Sequence, residues 1–274
     1  MSARMLHRLL GALRHEPTRK RVRATLADDV VVDTTGALLV WEPRRVLPSY
    51  AVPVADLSGE LVPANGAAAD SDSLGFRLPD GERVLDPTVP FAVHTVAGES
   101  LTIRAGGHVR HDAAFRAADP DLADHVLLDF DGFDAWYEED ERVFAHPRDP
   151  FHRIDVLPSS RDVRIELDGT VLAHSTRPHL LFEGTVLPVR YYLPREDVRV
   201  PLGASATRTF CPNKGDTVYW TPELPAGPAA DLAWSYPDPL REAARVAGLI
   251  AFFNERVDVI LDGEPQPRPT TPWS

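Results

Sequence analysis

The sequence predicts a mainly β protein of the α+β type, built as two tandem small antiparallel β domains with one helix each. The first indication is length, because 274 residues exceed the usual size of one compact domain. The second is an internal repeat, since a shift of 141 positions aligns residues 22–57 with residues 163–198 without a gap. The third is the alternation of apolar and polar residues in segments such as 163–167, which is typical of half-buried strands.

The repeat is supported by ten identities in 36 aligned positions. The pairs are Val22/Val163, Arg23/Arg164, Leu26/Leu167, Val30/Val171, Thr35/Thr176, Leu39/Leu180, Glu42/Glu183, Tyr50/Tyr191, Pro53/Pro194 and Asp56/Asp197. We therefore expect one ancestral unit to occur twice, with the first copy degenerate.

The order of elements follows from local signals. Apolar residues at helical spacing near the start predict an N-terminal helix, and prolines with charges around Pro147 and Pro150 indicate a linker. The end of the chain is rich in proline and predicts a disordered tail. The expected organisation is an N-terminal helix at 1–17, a first repeat at 18–145, a linker at 146–160, a second repeat at 161–264 and a tail at 265–274.

Within the second repeat, Asp168-Gly169 follows an alternating segment and predicts a hairpin turn. Asp238 and Pro239 predict the start of a helix, because Asp caps helices well and proline suits the first helical position. Apolar residues at helical spacing from Leu240 to Phe253 continue that pattern. Each copy therefore reads as several strands, one helix and a closing strand.

Composition limits the classes of partner. The net charge of −12 disfavours nucleic-acid binding, which depends on Lys and Arg neutralising phosphates. One cysteine cannot form an internal disulfide, and the amphipathic start of the chain is too short to be a membrane span or a signal peptide. We expect a soluble cytoplasmic protein without a nucleic-acid or membrane partner; the sequence does not indicate an oligomeric state.

Four motifs of the second copy resemble a known family. They are Ser175-Thr-Arg-Pro178, Tyr191-Tyr-Leu-Pro-Arg-Glu-Asp197, Cys211-Pro-Asn-Lys-Gly215 and Trp234-Ser-Tyr-Pro-Asp-Pro239. In this order and spacing they resemble the uncharacterised family called domain of unknown function 427, and the first copy is similar to a degenerate member. The resemblance implies a β-tent type of fold and no established activity. The family's label as nucleotidyltransferase-like has no supporting motif here.

Lys214 is the first candidate for a chemical role. The chain has 29 basic residues, and only Lys20 and Lys214 are lysines. Because arginine supplies nearly all of the positive charge, a lysine at position 214 suggests a role specific to its ammonium group. A buried ammonium can act as a base or form an imine, although Lys214 is equally well explained as an ordinary turn residue. Cys211 lies three positions away and is a candidate thiolate nucleophile, against the alternative of a small buried apolar side chain.

A binding site around these two residues is the larger hypothesis. Arg177 and Arg190 are expected to clamp a carboxylate or phosphate, with Glu183 orienting one of them. The aromatic residues expected to wall the pocket are Tyr191, Tyr192, Trp220 and Trp234. In the first copy, Gly36, Ser49 and Ala51 stand at the positions of Arg177, Arg190 and Tyr192. The polar side chains of a binding site are therefore expected in the second copy only.

The predicted function is thus binding of a small anionic metabolite in the second domain, with transfer or redox chemistry if the protein is an enzyme. The competing hypothesis is a noncatalytic binding or interaction module in which the aromatic residues are core. No Gly-rich phosphate loop, Gly-x-Ser-x-Gly elbow or complete set of metal ligands occurs in the sequence, so we expect no cofactor and no metal.

Overall fold

The computed structural model describes residues 10–64, 71–77, 81–184, 187–271 and 273–274. The chain divides into two compact units, Met1–Asp149 and Pro150–Ser274, which we call unit 1 and unit 2. Antiparallel sheets dominate both units, so the prediction of a mainly β protein is confirmed. Among the described residues, no helix has the length and apolar character that crossing a bilayer would require.

Unit 1 consists of strands joined by short 3-10 helices. Its strands are β1 (Arg14–Pro17), β2 (Val22–Leu26), β3 (Asp29–Thr34), β4 (Leu38–Trp41), β5 (Ser49–Pro53), β6 (Glu60–Pro63), β7 (Phe76–Arg77), β8 (Arg83–Val84), β9 (Gly98–Ala105), β10 (His108–Ala117), β11 (His125–Leu128), β12 (Ala135–Glu138) and β13 (Glu141–Val143). The 3-10 helices are Val54–Asp56, Pro120–Leu122 and Phe130–Gly132. A large sheet has the order β1-β4-β5-β11-β10-β9-β6, a small sheet has the order β13-β12-β2-β3, and β7 pairs with β8.

Unit 2 has the same kind of construction. Its strands are β14 (Ile154–Pro158), β15 (Val163–Leu167), β16 (Thr170–Ser175), β17 (His179–Glu183), β18 (Arg190–Leu193), β19 (Leu202–Cys211), β20 (Gly215–Leu224), β21 (Gly227–Pro228), β22 (Ala233–Ser235), β23 (Ile250–Phe252), β24 (Asp258–Leu261) and β25 (Glu264–Gln266). The 3-10 helices are Arg195–Asp197 and Arg241–Val246. The large sheet has the order β14-β17-β18-β23-β22-β20-β19 with β21 beside β20, and the small sheet has the order β16-β15-β24-β25.

Burial follows the period of two that strands impose on side chains. In β2, Val22, Ala24 and Leu26 are fully buried, and in β15 Val163 and Ile165 are buried in the same way. Successive side chains of a strand point to opposite faces, so one face of each small sheet enters the core. The alternating pattern read from the sequence is therefore the pattern that forms the core of each unit.

The offset of 141 residues is visible in the backbone. Strands β15 and β16 begin and end 141 positions after β2 and β3. The 3-10 helix Arg195–Asp197 likewise lies 141 positions after Val54–Asp56. The same offset relates the ladder irregularities at Ala24/Thr25 and Ile165/Glu166, and the isolated bridges Val32–Leu57 and Ala173–Val198. The two segments therefore share a local backbone plan, including its irregular points.

The prediction of one helix per copy is wrong for the described residues. The segment after Asp238 forms only the six-residue 3-10 helix Arg241–Val246, which has no side-chain cap. Gly248 follows with a positive φ, and Ile250–Phe252 is a strand buried at every position. A continuous apolar run does not distinguish a buried strand from a buried helix by its spacing, and here the strand at the centre of the sheet extends the apparent helical pattern.

The ends of the chain also differ from the sequence expectation. Residues 1–9 of the expected N-terminal helix lie outside the described residues, and Arg14–Pro17 is strand β1, paired with β4. Within the expected linker 146–160, Ile154–Pro158 forms strand β14, which pairs with β17 at the edge of the large sheet of unit 2 and buries Val156. Flanking prolines obscured this short strand in the sequence.

The expected disordered tail is partly structured. Glu264–Gln266 forms strand β25, and the buried hydroxyl of Thr271 donates to Glu255 Oε1 at 2.6 Å. The Trp273 ring lies 5.7 Å from the Arg190 guanidinium carbon. A proline-rich composition does not prevent a segment from folding when a buried ion pair gives it partners, which the sequence pattern does not reveal.

Burial in β15 gives a direct test of the fold of unit 2. Replacing Ile165, which is 1% exposed, with Ala should lower the free energy of unfolding by about 2–5 kcal/mol through lost transfer energy and the cavity left behind. Urea unfolding measures the change. Arg164→Ala on the exposed face of the same strand is the matched control and should change it by less than about 1 kcal/mol. Equal losses in both variants would contradict the assignment of faces.

Candidate functional site

Three segments of unit 2 bring charged side chains together at one carboxylate. Glu183, the last residue of β17, is buried, and its Oε1 accepts a hydrogen bond from the ammonium of Lys214. The same oxygen lies 3.0 Å from His152 Nε2. Lys214 is buried as well, whereas the His152 side chain is 21% exposed. We call Glu183, Lys214 and His152 the carboxylate cluster.

Local turn chemistry places Lys214. The motif Cys211-Pro-Asn-Lys-Gly215 joins β19 to β20, and the backbone N–H of Lys214 donates to the Cys211 carbonyl at 3.1 Å. Proline suits the second position of such a turn because its φ is already fixed. Gly215 has a φ of +96°, and a Cβ there would come within 3.3 Å of the Asp238 carbonyl. The motif is thus a tight turn that presents the lysine to the interior.

Electrostatics keep the buried pair charged. Burial alone would raise the pKa of Glu183, but Lys214 and His152 outweigh it and lower that pKa to about 2. Burial alone would lower the pKa of Lys214, and Glu183 reverses this so that the lysine pKa is raised. At neutral pH the pair is therefore a carboxylate and an ammonium. Lys214 then acts as a fixed cation and not as a free amine.

An apolar and aromatic wall surrounds the pair. Tyr192 is fully buried, and its hydroxyl accepts from Trp234 Nε1 at 3.1 Å. Burial, the largest cause, raises the pKa values of Tyr192 and Tyr236, so both stay neutral hydroxyls. Cys211 packs at the edge of the same apolar cluster and is partly exposed. The structure thus brings Cys211, Lys214, Glu183, Tyr192 and Trp234 into one region.

Arg190 has a different environment from the one predicted. Its guanidinium makes a two-point ion pair with Glu255, at 2.6 and 2.7 Å, and donates to Asn254 Oδ1 at 2.6 Å. Trp234 lies under it at 5.4 Å. The donors of Arg190 are committed to a buried carboxylate, so this arginine serves to hold the chain end containing Thr271 against unit 2.

The remaining predicted residues do not join the cluster. Arg177 is exposed and pairs with Glu196 at 2.8 Å and Asp197 at 3.4 Å, which raises its pKa. Trp220 packs in another core cluster and donates to Ser235 Oγ at 3.0 Å, and Tyr191 lies with it. Because Arg177 and Arg190 have separate carboxylate partners, the predicted two-arginine clamp is not formed by the described side chains.

Unit 1 has its own buried carboxylate at the repeat position. Glu42, which aligns with Glu183, is 2% exposed, and its Oε1 lies 2.9 Å from His94 Nδ1. The backbone N–H of Thr95 donates to the other oxygen at 2.8 Å. Arg45 approaches Oε1 at 3.9 Å. Unit 1 therefore has a buried polar pair of its own at this repeat position, although the partners of the glutamate differ between the units.

Sequence reasoning missed His152 and Glu255. His152 stands in the segment read as a linker, and Glu255 stands in a run read as the end of a helix. For His152, the available signal was the isolated Ile154 and Val156 alternation directly after it, which marks a strand. The partner of Arg190 had no comparable signal, because a buried ion pair between residues 65 positions apart leaves no local pattern.

Metal binding finds no support among the described residues, where no group of three or more His, Cys, Asp and Glu side chains is arranged to hold an ion. What the geometry offers is a fixed ion pair with one histidine at the surface.

Together, the sheets and the carboxylate cluster define unit 2 as an antiparallel β domain with a buried ion pair beside a partly exposed histidine. Residues 155–263, which lie within unit 2, match the model of a family described as a domain of unknown function (DUF427). The match includes Glu183 and Lys214, while His152 precedes it. No curated protein matches the chain.

The lowered pKa of Glu183 predicts a specific dependence of stability on pH. A carboxyl group whose pKa is lowered by folding stabilises the folded state at pH values above 4.5, the ordinary pKa of glutamate. This stabilisation is lost as the pH falls from 4.5 towards 2. Between about pH 5 and pH 3, the contribution of Glu183 to the free energy of unfolding falls by about 2 kcal/mol.

Urea unfolding at pH 5 and pH 3 measures the free energy of unfolding of the wild type and of the double variant Glu183→Gln/Lys214→Met. The other carboxylates are common to both proteins, so the wild type should lose about 2 kcal/mol more than the variant. An equal loss in both would show that Glu183 is not held ionised by Lys214.

Proposed function

We propose that unit 2 binds a small anionic metabolite at the carboxylate cluster, with His152 as the contacting group and the Glu183–Lys214 pair fixing its position. The observation that carries this proposal is the sharing of one buried oxygen of Glu183 by Lys214 and His152. This arrangement orients the imidazole from behind and leaves its other edge towards the surface of the unit.

A purely structural role explains the arrangement less well. Burying an ion pair costs desolvation energy, and well-packed apolar side chains of similar volume often stabilise a protein as much or more. The pair also uses one of the two lysines of a chain that otherwise relies on arginine. Perturbed carboxyl and lysine groups cluster at functional sites, which supports a role in binding or catalysis.

Charge supports an anionic ligand. Glu183 and Lys214 cancel each other, so a protonated His152 gives the carboxylate cluster a net positive charge. His152 is the most exposed of the three side chains, at 21% against 6% for Glu183 and 9% for Lys214. An anion approaching this face therefore meets an imidazole held in one orientation, and the imidazolium form of that ring attracts it.

If unit 2 is an enzyme, its residues restrict the chemistry. The raised pKa of Lys214 disfavours imine formation and amine attack, since both need the neutral amine. Proton transfer through His152 and transfer reactions at the partly exposed Cys211 thiol are the routes that the geometry supports.

The second candidate function is a noncatalytic binding or interaction module. The pair of Arg190 and Glu255 favours it, because that pair is also buried and serves to hold the end of the chain. Unit 2 thus uses one buried ion pair for structure, and the pair of Lys214 and Glu183 would be a second. The presence or absence of ligand binding at His152 separates the two candidates.

We further infer that the two units arose by tandem duplication of one β-tent type of domain. The large sheets have matching strand orders, and the small sheets match when one order is reversed. A shared detail is the ST turn after β3 and β16, where Thr34 Oγ1 accepts from Gly36 N and Ser175 Oγ accepts from Arg177 N, again 141 positions apart. Such details are expected from common descent more than from convergence.

A thermal-shift screen tests the binding proposal. Small carboxylates, dicarboxylates and phosphate monoesters are added to the full chain at about 1–10 mM, a range that detects weak ligands. At least one anion should raise the Tm of the wild type by about 2 °C or more. His152→Gln, which removes the imidazole while keeping a polar side chain, should abolish that shift.

Lys20→Met is the matched control, because Lys20 is the other lysine and also pairs with a buried glutamate, Glu138 at 2.6 Å, in unit 1. It should retain the ligand-induced shift, whereas Lys214→Met should lose it. Shifts of the same size in all four proteins would place the anion elsewhere and favour the noncatalytic module.

A further inference from the structure

Unit 1 carries a groove on the outer face of its large sheet, independent of the carboxylate cluster. It has a volume of about 430 Å³ and crosses β6, β9 and β10. The groove is open to solvent, since Val109 and Arg104 on its border are exposed. The groove lies within unit 1 alone, and its three strands lie outside the repeat segment 22–57.

Strand register explains which side chains line the groove. Val62 pairs with Thr102 across β6 and β9, and Val109 pairs with Arg104 across β9 and β10. Thr102 and Arg104 are two positions apart and share one face, while Leu101 and Ile103 point to the opposite face and are buried in the core. The groove is therefore formed by the side of the sheet that faces away from the main core of unit 1.

Thr102 forms the floor. The residue is 6% exposed, yet within the described parts of the chain its hydroxyl has no hydrogen-bond partner. A hydroxyl that lines an open groove can bond either water or a ligand. This threonine supplies a donor and an acceptor between the apolar walls formed by Val62 and Val109.

Two opposite charges border the groove. Arg104 approaches Glu60 at 3.8 Å, which is beyond hydrogen-bond length, and its side chain is 58% exposed. Asp112 lies in the irregular stretch of β10 that faces Thr102, with a φ of +52°. Among the described residues the Asp112 carboxylate has no ion-pair partner. One cation and one anion are thus presented to the same small volume.

We propose that this groove binds a small zwitterion of the free amino acid or dipeptide type with an apolar side chain. The guanidinium of Arg104 pairs with the ligand carboxylate, Asp112 pairs with the ligand ammonium, and the Thr102 hydroxyl bonds a polar group between them. Val62 and Val109 contact the apolar side chain. His111 borders the groove beside Asp112 and adds a further polar contact.

Isothermal titration of the full chain with L-leucine and L-leucyl-L-leucine tests the proposal and separates the two ligand types. At least one of them should bind with a Kd below about 10 mM. N-acetyl-leucine lacks the ammonium and leucinamide lacks the carboxylate, so each should bind at least about tenfold more weakly than the better zwitterion. Equal binding of all ligands, or no binding by either zwitterion, would overturn the proposal.

Variants assign the two ends of the ligand. Arg104→Gln should weaken the zwitterion about tenfold or more and leave leucinamide unchanged, and Asp112→Asn should do the same while leaving N-acetyl-leucine unchanged. Asparagine tolerates the positive φ at position 112, so this variant keeps the backbone conformation. Thr102→Val, which is nearly isosteric, should weaken the binding of both L-leucine and L-leucyl-L-leucine.

Arg116→Gln is the matched control, because Arg116 stands on the same hairpin and pairs with Glu99 at 3.3 Å outside the groove. It should leave binding unchanged, and a loss as large as that of Arg104→Gln would overturn the assignment. His152→Gln should also leave zwitterion binding unchanged, so failure of this proposal and failure of anion binding in unit 2 give different results.

Discussion

One buried carboxylate organises the part of unit 2 that carries its polar chemistry. Removed from water, Glu183 requires a cation, and Lys214 supplies it from a turn distant in sequence. The tight turn, the positive φ of Gly215 and the aromatic wall of Tyr192 follow from the need to bring an ammonium into the interior and exclude water around it. His152 uses the remaining capacity of the same oxygen and extends the ion pair towards the surface.

The two buried ion pairs of unit 2 solve the same physical problem with different consequences. Arg190 donates to Glu255 in a planar two-point geometry and to Asn254, so few of its N–H groups can bind a ligand. Thr271 donates to the same carboxylate and is held by it. Lys214 is a compact point charge, and Glu183 keeps room for a second partner. The pair that contains lysine, Lys214–Glu183, therefore has a further partner near the surface, whereas the donors of Arg190 are used by Glu255 and Asn254 in the interior.

Local signals in the sequence predicted several elements of the fold, whereas most long-range ion-pair partners had no signal. Alternation identified β15, and the Asp168-Gly169 pair identified its turn, because both signals lie within a few residues. The structure places Lys214, Cys211, Glu183, Tyr192 and Trp234 in one region of unit 2. For Arg177 the prediction rests on residue type alone, and its partners in the 3-10 helix Arg195–Asp197 give no signal in the sequence pattern. The expected helix after Asp238 failed because a central strand, buried on both faces, has no period that distinguishes it.

The comparison of Glu42 with Glu183 shows what the repeat position requires and what it leaves free. Both glutamates are buried at equivalent points of the large sheets, and each lies within 3.0 Å of a histidine nitrogen. The histidines come from different parts of the two units, since His152 precedes β14 whereas His94 follows β8 by ten residues. Because the carboxylate is common and its partners are not, the glutamate alone is not diagnostic of function. The information lies in the partner: a stacked, buried His94 in unit 1 closes its carboxylate off, and a partly exposed His152 in unit 2 connects its carboxylate to the surface.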